Sequence, residues 1–586
     1  MPGFLAKTGI SPQSSLFENM NVHKRNKVND SLEASDLYVE RLTVNKFMGD
    51  KVFFSDNNFL VLVEGVILNS CSLMLKYSKT TFKDCIVEMY KTNGEAFFNE
   101  FRGNFCGILY DIKNRLTIVY TDHIGSKQIF YSKIAKEYVF SSDMLYIAEF
   151  FKHNNISRNL CINGAYYLLT LGSMLEDATL FDDVKRLLPG HYIKIQNDNF
   201  EIKRYYKLNF SYDCKLSEED IINNLDILFT EAVKSAFEKD KEYGYKHIVN
   251  LSAGLDSRMT TFVAHKLGYA KGGGILNNTL SQTGYWDEVI PKQITADLMH
   301  QWSFKSLDNG IYLMDIEKAI KITCGMSSCT GCSHGTYYYD TFNLDDFGLV
   351  HSGQLGDAIV RSIISRNSKS AVNNYSLKPI LNSKFIDLEK RIDYSYQLTY
   401  DNEEDLLFFT RSFLGNNQGL LAAQQYSETY SPFYDIDFMQ FCFNIPLKYR
   451  MNHQLYYKWI LLKHPKAANY MHDRIGVGVK INTKKITVLG HTVPITKLPH
   501  YTCKYIYSRL TGKRLDASKR NMNPFEYWYN TNDELRNIID EYYQHNIGEL
   551  SLFPELEEDC RNIFQNGSAS EKLQVLTLAG MLKMYF

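Results

Sequence analysis

The stretch from His247 to Gly268 constrains the fold of this 586-residue chain more than any other. His247-Ile248-Val249-Asn250-Leu251 has the apolar, β-branched character of a buried strand, and Met259, Phe262, Val263 and Leu267 then recur at helical spacing. Between them lies Ser252-Ala253-Gly254-Leu255-Asp256-Ser257-Arg258, small and hydroxyl-rich, while Gly268 suits a left-handed helix cap. A strand, a tight turn and a helix in that order form a natural anion cradle, because backbone N–H groups and the positive helix end converge on the turn. Leu251 through Arg258 are therefore candidates to hold a pyrophosphate. The pattern alone also admits an ordinary βα turn, where glycine and serine are common. It is not a Walker A loop: no Gly-Lys-Ser/Thr is present, which disfavours an NTPase that transfers a γ-phosphate.

The rest of the chain divides in two. Up to about Leu208, short apolar runs such as Asn58-Phe59-Leu60-Val61-Leu62-Val63 and Cys106-Gly107-Ile108-Leu109-Tyr110 are broken by Asn, Asp and Gly, as in strands joined by hairpins. From Leu216 the period changes. Ile221, Leu225, Leu228 and Phe229 fall at helical spacing, and helices then alternate with short buried strands. The boundary is placed near Ser211, giving domains 1–210 and 211–586. A hydrophobic fraction of 45% is enough to build several cores in a chain this long. No fixed-period repeat supports a solenoid.

With 65 basic and 66 acidic side chains, no global field recruits nucleic acid or a membrane surface. No apolar run approaches the roughly 20 residues of a membrane span, and none at the N-terminus reads as a signal peptide, so a cytoplasmic protein is expected. Eleven cysteines are too sparse for a disulfide framework and are expected as thiols. Cys324, Cys329, Cys332 and His334 are zinc-compatible in kind, but the one-residue gap before His334 strains a tetrahedral site, and free thiols are the simpler expectation.

The turn at Ser252–Ser257 resembles the SGGxDS loop of the N-type ATP pyrophosphatases, and the sequence after it resembles the asparagine synthetase family, with its β-lactam synthetase and lasso-peptide cyclase relatives. Asp287-Glu288 resembles that family's acidic pair at a helix start. Leu349 to Asp357, reading Leu-Val-His-Ser-Gly-Gln-Leu-Gly-Asp, resembles a strand and SGxGxD loop, and Glu428-Thr429-Tyr430-Ser431-Pro432-Phe433-Tyr434-Asp435 resembles ExRxPFLD. The N-terminal half resembles a class II glutamine amidotransferase. Glu64-Gly65-Val66-Ile67-Leu68-Asn69 stands for NGxIYN, Gly103-Asn104-Phe105 with Asp111 for GxF and its aspartate, Asp122 to Gln128 for RDxxGxKP, and Leu188-Pro189-Gly190 for the linker. The fold implied is an N-terminal antiparallel β-sandwich of the Ntn-hydrolase type and a C-terminal α/β domain with a parallel sheet of the PP-loop type.

The resemblance implies a reaction and its parts. A carboxylate attacks the α-phosphorus of ATP, pyrophosphate leaves, and an amine displaces AMP to give an amide. ATP and Mg²⁺ are the implied cofactors, with Asp256 and Asp357 as magnesium ligands, and Ser352 and Gly353 join Leu251–Arg258 around the nucleotide. Two carboxylates completed by phosphate oxygens and water suit a hard octahedral ion. Lys458 falls in a helix as a lysine does in the family. Arg474, in Arg474-Ile475-Gly476-Val477, replaces a catalytic lysine; it keeps the charge but cannot shuttle a proton. Lys480 is the fallback in another register. Gln354 stands where the family has a glutamate or tyrosine base and cannot take a proton, which leaves Glu428 as the candidate base, or as a residue that orients its loop.

Two departures change the expected function. The nucleophilic cysteine of class II amidotransferases is replaced at its position by Pro2, and the glutamine-binding asparagine by Glu64. The N-terminal half then reads as a scaffold without glutaminase chemistry. Nitrogen would come from free ammonia, from an ammonia-supplying partner, or from an amine on the substrate, as in relatives that close lactam rings. The carboxylate substrate is a small molecule or a peptide, the latter with a precursor-handling partner; a homodimer fits as well as a monomer. Ordinary asparagine synthesis and a non-catalytic binding protein remain the alternatives. Arg258, where the family has serine, is expected to add charge at the pyrophosphate mouth.

Overall fold

The computed structural model describes residues 3–9, 17, 27–364, 400–472, 478–479, 485–488, 491–494, 502, 506 and 521–586. The N-terminal half contains two six-stranded sheets, every pairing in them antiparallel. One contains β1 (Gly3–Thr8) and β2 (Leu37–Val44); the other contains β3 (Phe59–Ile67), β4 (Gly103–Asp111) and β5 (Leu116–Thr121). Successive side chains of a strand point to opposite faces, and β3 uses both of them. Leu60 and Leu62 face the other sheet, meeting Phe4 and Val39 in one core, whereas Val61 and Val63 enter a second core with Phe82, Ile86 and Met89 of an outer helix. The apolar run at 60–63 is thus buried on both sides, and the strand runs on to Ile67.

The other sheet is covered by α1 (Met144–His153) and α2 (Ile162–Leu171), with Leu5 and Leu42 turned toward Ile147 and Leu168. The result is a sandwich of two sheets with a helical layer on each outer face. The antiparallel architecture expected from the N-terminal motifs is present.

The second half begins with α3 (Glu218–Glu242), whose Ile221, Leu225 and Phe229 are buried and whose N-cap, Ser217, accepts from Asp220 N at 3.1 Å. Five parallel strands follow: β6 (Lys246–Asn250), β7 (Ile275–Ser281), β8 (Gln301–Ser306), β9 (Phe347–His351) and β10 (Thr429–Tyr430), in the order β8-β7-β6-β9-β10. The chain starts in the middle, builds outward through β7 and β8, then returns to the other side of β6. In open parallel sheets a ligand crevice forms at the carboxyl ends of the strands where this reversal occurs. Here that point lies between β6 and β9. The helices that matter for it are α4 (Leu255–Lys266), α5 (Trp286–Leu298), α6 (Gly356–Val360), α7 (Gln454–Lys463) and α8 (Pro465–Asn469).

The chain closes with α9 (Ala569–Tyr585), which returns to the N-terminal half. Phe586 stacks on Phe181 with ring centroids 4.6 Å apart, Tyr585 donates to Glu149 Oε1 at 2.9 Å, and Lys152 donates to the Met584 carbonyl at 2.9 Å. One hydrophobic core accordingly runs from Leu5 through Leu168 and Phe229 to Leu578. Among the described residues, no helix is long and apolar enough to cross a membrane. All ten described cysteines are free thiols.

Candidate active site

Two loops face each other at the switch point: Ser252–Ser257 after β6 and Ser352–Asp357 after β9. The first is held by its own hydroxyls. Ser257 Oγ accepts from Ser252 N at 3.0 Å and lies 3.1 Å from Ser252 Oγ, which in turn accepts from Gly254 N at 3.2 Å. Asp287, on the first turn of α5, accepts from Ala253 N at 2.7 Å. Three N–H groups of the expected cradle are therefore already used within the protein. What remains for an anion is the first turn of α4, whose N–H groups have no intrahelical acceptors, together with the two hydroxyls.

The second loop fits against the first with no room to spare. A Cβ on Gly353 would enter the van der Waals envelope of the Ser257 amide, and one on Gly356 would stand 2.8 Å from Asp256 Cγ and from the Phe433 ring. Leu355 between them has φ +62°, a left-handed conformation that costs a non-glycine residue about 1–2 kcal/mol; the family pattern has glycine there. The loop is pinned by Ser352 N donating to Tyr430 O (2.9 Å), Thr260 Oγ1 to Ser352 O (3.2 Å) and Ser431 Oγ to Gln354 O (2.9 Å). Gly353→Ala is expected to force the loops apart, costing about 1–3 kcal/mol; nucleotide affinity and melting temperature should fall together.

This packing brings the two proposed magnesium ligands to one place. Tyr456, on α7, donates to Asp256 Oδ1 at 2.6 Å, and burial together with the charges of Asp256 and then Asp357 drives its phenol well above the usual range. Asp357 receives Arg361 at Oδ2, 3.1 Å from Nε and 3.0 Å from Nη2. Two carboxylates on facing loops, beside a helix N-terminus and serine hydroxyls, form a hard oxygen donor set that fits Mg²⁺ and a polyphosphate. They open into a cavity of about 920 Å³, lined by Leu251, Ser252, Gly254, Asp256 and Ser257 from one loop and Ser352, Gly353, Gln354, Leu355 and Asp357 from the other.

Other expected site residues lie elsewhere. Arg258 is two positions beyond Asp256, about 200° around the helix, and so points away from the crevice. It is fully buried and donates to four carbonyls: Ala253 (2.7 Å), Ala467 (3.0 Å), Met471 (2.9 Å) and Tyr470 (3.2 Å). Ala253 is buried beside it. Rather than adding charge at the mouth, Arg258 ties the loop to the end of α8, where carbonyls without helical partners attract a cation. Lys458 is likewise turned about 200° from Tyr456 on α7 and pairs with Glu218 at 2.6 Å, outside the cavity. Arg474, Lys480 and Pro2 lie outside the described residues.

Glu428 does not line the cavity. Its backbone joins the sheet through Val350 N donating to its carbonyl at 2.8 Å, but its side chain turns to the N-terminal domain, where Lys51 Nζ lies 2.8 Å from Oε1 and Lys127 Nζ 2.6 Å from Oε2. All three side chains are almost wholly buried. Burial alone would raise the Glu428 carboxyl, but the two lysines pull it down to about 2. Such a group is a poor base at neutral pH. The same cluster takes up Glu64, 3.5 Å from Lys51 Nζ and accepting from Thr43 Oγ1 at 2.7 Å.

Two further clusters bear on metal binding. Asp240 Oδ2 lies 2.8 Å from His247 Nδ1 and 2.7 Å from His351 Nε2, the single trio of His, Cys, Asp or Glu among the described residues whose ligand atoms converge. These are hydrogen-bond distances, and the trio joins α3 to β6 and β9. Cys324, Cys329 and Cys332 do not converge with His334; burial raises all three thiols, Cys329 to about 11, so they stay protonated.

Residues 41–206 match the model of a glutamine amidotransferase domain. The chain is 27% identical over 229 residues to "Asparagine synthetase [glutamine-hydrolyzing] 2" of Bacillus subtilis, covering 36% of this chain and 30% of that protein. It is 23% identical over 276 residues to "Putative asparagine synthetase [glutamine-hydrolyzing] 2" of Methanocaldococcus jannaschii, covering 44% and 52%. Over these stretches the chain is similar to asparagine synthetases. Another relative, "Amidase chyE" of Penicillium rubens, is 29% identical over 181 residues, 30% of this chain and 25% of that protein. In each case the match spans between a quarter and about half of the relative's length. The motifs gave no sign of Tyr456, Lys51 or the role of Asp287. Tyr456 carries no motif. Lys127 does sit in a quoted motif, but its partner is three hundred residues away in sequence.

Proposed function

We propose that the chain is an ATP-dependent ligase that activates a carboxylate as an acyl-adenylate and couples it to an amine or to ammonia. The reading rests on one observation above all: Asp256 and Asp357 meet at the switch point, beside the N-terminus of α4 and the Ser252 and Ser257 hydroxyls, as in an ATP pyrophosphatase of the PP-loop type. A carboxylate oxygen would attack the α-phosphorus, and the bond to the β-phosphate oxygen would break. The leaving pyrophosphate would be held by the first-turn N–H groups of α4 and the two hydroxyls. Asp256 and Asp357 would hold Mg²⁺, which when bound supplies charge neutralisation to that leaving group. Tyr456 fixes the Asp256 carboxylate, and Arg258 fixes the turn beneath it. The amine would then displace AMP.

Support for an amine source other than glutamine hydrolysis comes from Glu64. At the position that the family resemblance gives to the glutamine-binding asparagine, this carboxylate is buried among Thr43, Lys51 and Glu428. Gln354 lines the cavity yet cannot accept a proton. Closure of a lactam or macrolactam ring, or amidation of a biosynthetic intermediate, fits these features; the names of the Bacillus and Methanocaldococcus relatives favour asparagine itself as the second reading. Glu428 is proposed as a structural residue of the domain joint, not as a base.

The test is the nucleotide product. Substrate-dependent release of AMP and pyrophosphate is expected with ammonia or an amine, and no glutamate release from glutamine. ADP as the product would refute adenylation, and glutaminase activity would refute the amine assignment.

A further inference from the structure

The parallel sheet ends at β10, a strand of two residues whose outer edge meets the N-terminal domain. On its inner edge Val350 N donates to Glu428 O at 2.8 Å and Ser352 N to Tyr430 O at 2.9 Å. The carbonyl between those two, of Thr429, accepts from Asn104 Nδ2 on β4 at 2.8 Å. Asn104 is buried, and its Oδ1 has no hydrogen-bond partner among the described residues. Leaving one end of a buried amide unpaired is costly, so what sets this side chain apart from a leucine of similar size is the hydrogen bond it gives β10.

The same domain grips the neighbouring backbone at two more points. Lys46 Nζ lies 2.5 Å from the Leu344 and Phe347 carbonyls, at the start of β9, and 3.3 Å from Ser427 Oγ. Lys51 and Lys127 hold the side chain of Glu428, the residue before β10.

What β10 supports is the Ser352–Asp357 loop. Besides the bond from Ser352 N, Ser431 Oγ, one residue past the strand, donates to Gln354 O at 2.9 Å. Within that loop Leu355 sits at φ +62°, and backbone strain of this kind persists only where the surroundings over-determine it. A two-residue strand with a free outer edge is a weak support for such a loop. With its outer edge fixed, it is a firm one.

We propose that Asn104 is a positioning residue for the nucleotide site: by fixing the outer edge of β10, it holds the Ser352–Asp357 loop in the strained form that faces the Asp256 loop. The N-terminal half then shapes a site to which Asn104 itself makes no direct contact. The inference rests on the ligase reading only in taking the two loops as the site for Mg²⁺ and ATP.

The test compares the full native chain with Asn104→Leu and Asn104→Ala, which remove the donor with and without keeping the volume, and with Val61→Ala. Val61 enters the core beneath the outer helix and not the joint, so this last variant loses stability without touching β10. In calorimetry with Mg²⁺ and α,β-methylene ATP, both Asn104 variants should bind the analogue about three- to tenfold more weakly, the weight of one hydrogen bond, and Val61→Ala should bind it as the native chain does. In deuterium exchange without ligand, the peptide spanning 350–358 should exchange about three- to tenfold faster in the Asn104 variants alone. Native-like exchange or native-like affinity in the Asn104 variants, or equal loosening in Val61→Ala, would overturn the proposal. A native chain that binds no analogue would sink the ligase reading, and the exchange comparison would still decide whether Asn104 holds the loop.

Discussion

Replacing Glu428 by glutamine is expected to destabilise the protein by about 3–5 kcal/mol, because it leaves two buried ammonium groups of the N-terminal domain at the joint with Glu64, 3.5 Å from Lys51, as their nearby carboxylate. Lys51 and Lys127 have almost no exposure, so neither can swing out to water. The effect carries a pH signature. The Glu428 carboxyl is held at about 2 in the folded protein against its ordinary 4.5. A carboxyl whose pKa is depressed on folding adds stability that is fully present above the unfolded value and is lost as pH falls through the folded one. Urea midpoints of the native protein and Glu428→Gln should therefore differ by a constant amount above pH 4.5 and converge toward pH 2. If the variant were as stable as the native protein but inactive, Glu428 would have to be returned to the chemistry.

The largest effect on activity is expected from Asp256→Asn and Asp357→Asn. Each keeps the shape of the side chain and removes one negative charge from a hard-ion site. Losing about 3–4 kcal/mol of transition-state stabilisation corresponds to about a 10²–10³-fold slower release of AMP and pyrophosphate. In Asp256→Asn the new amide oxygen can still accept from Tyr456, so the fold should survive and melting should shift by little. The half-saturating Mg²⁺ concentration should rise in both variants. Turnover at the native rate in either variant would remove that carboxylate from the metal site.

The strand, turn and helix at 247–268 were legible because the period of their apolar residues and the glycine cap are local properties, and the helix does end at Lys266 with Gly268 at φ +89°. The convergence of Asp256 and Asp357 was legible through motif order alone. What could not be read was direction. Arg258 and Lys458 sit inside recognisable segments, yet each is turned about 200° from the neighbour that faces the crevice, and nothing in a one-dimensional motif records that turn. Which of the two expected roles Glu428 takes was hidden for another reason: its partners are lysines from the other domain, and a buried carboxylate between two such charges looks in sequence like any free one. The rest of the cavity wall, assembled from residues near 172, 327 and 574, has no local signature at all.

The return of α9 to the first domain bears on how such a gene can change. With Phe586 stacked on Phe181, and with Lys51 and Lys127 neutralising Glu428 from across the joint, a shortened gene lacking the first half would leave bare apolar surface and an orphaned charge in the second. The N-terminal half is thus a packing partner of the second, whatever its own chemistry. Selection acting only on a reaction in the second half would still preserve it.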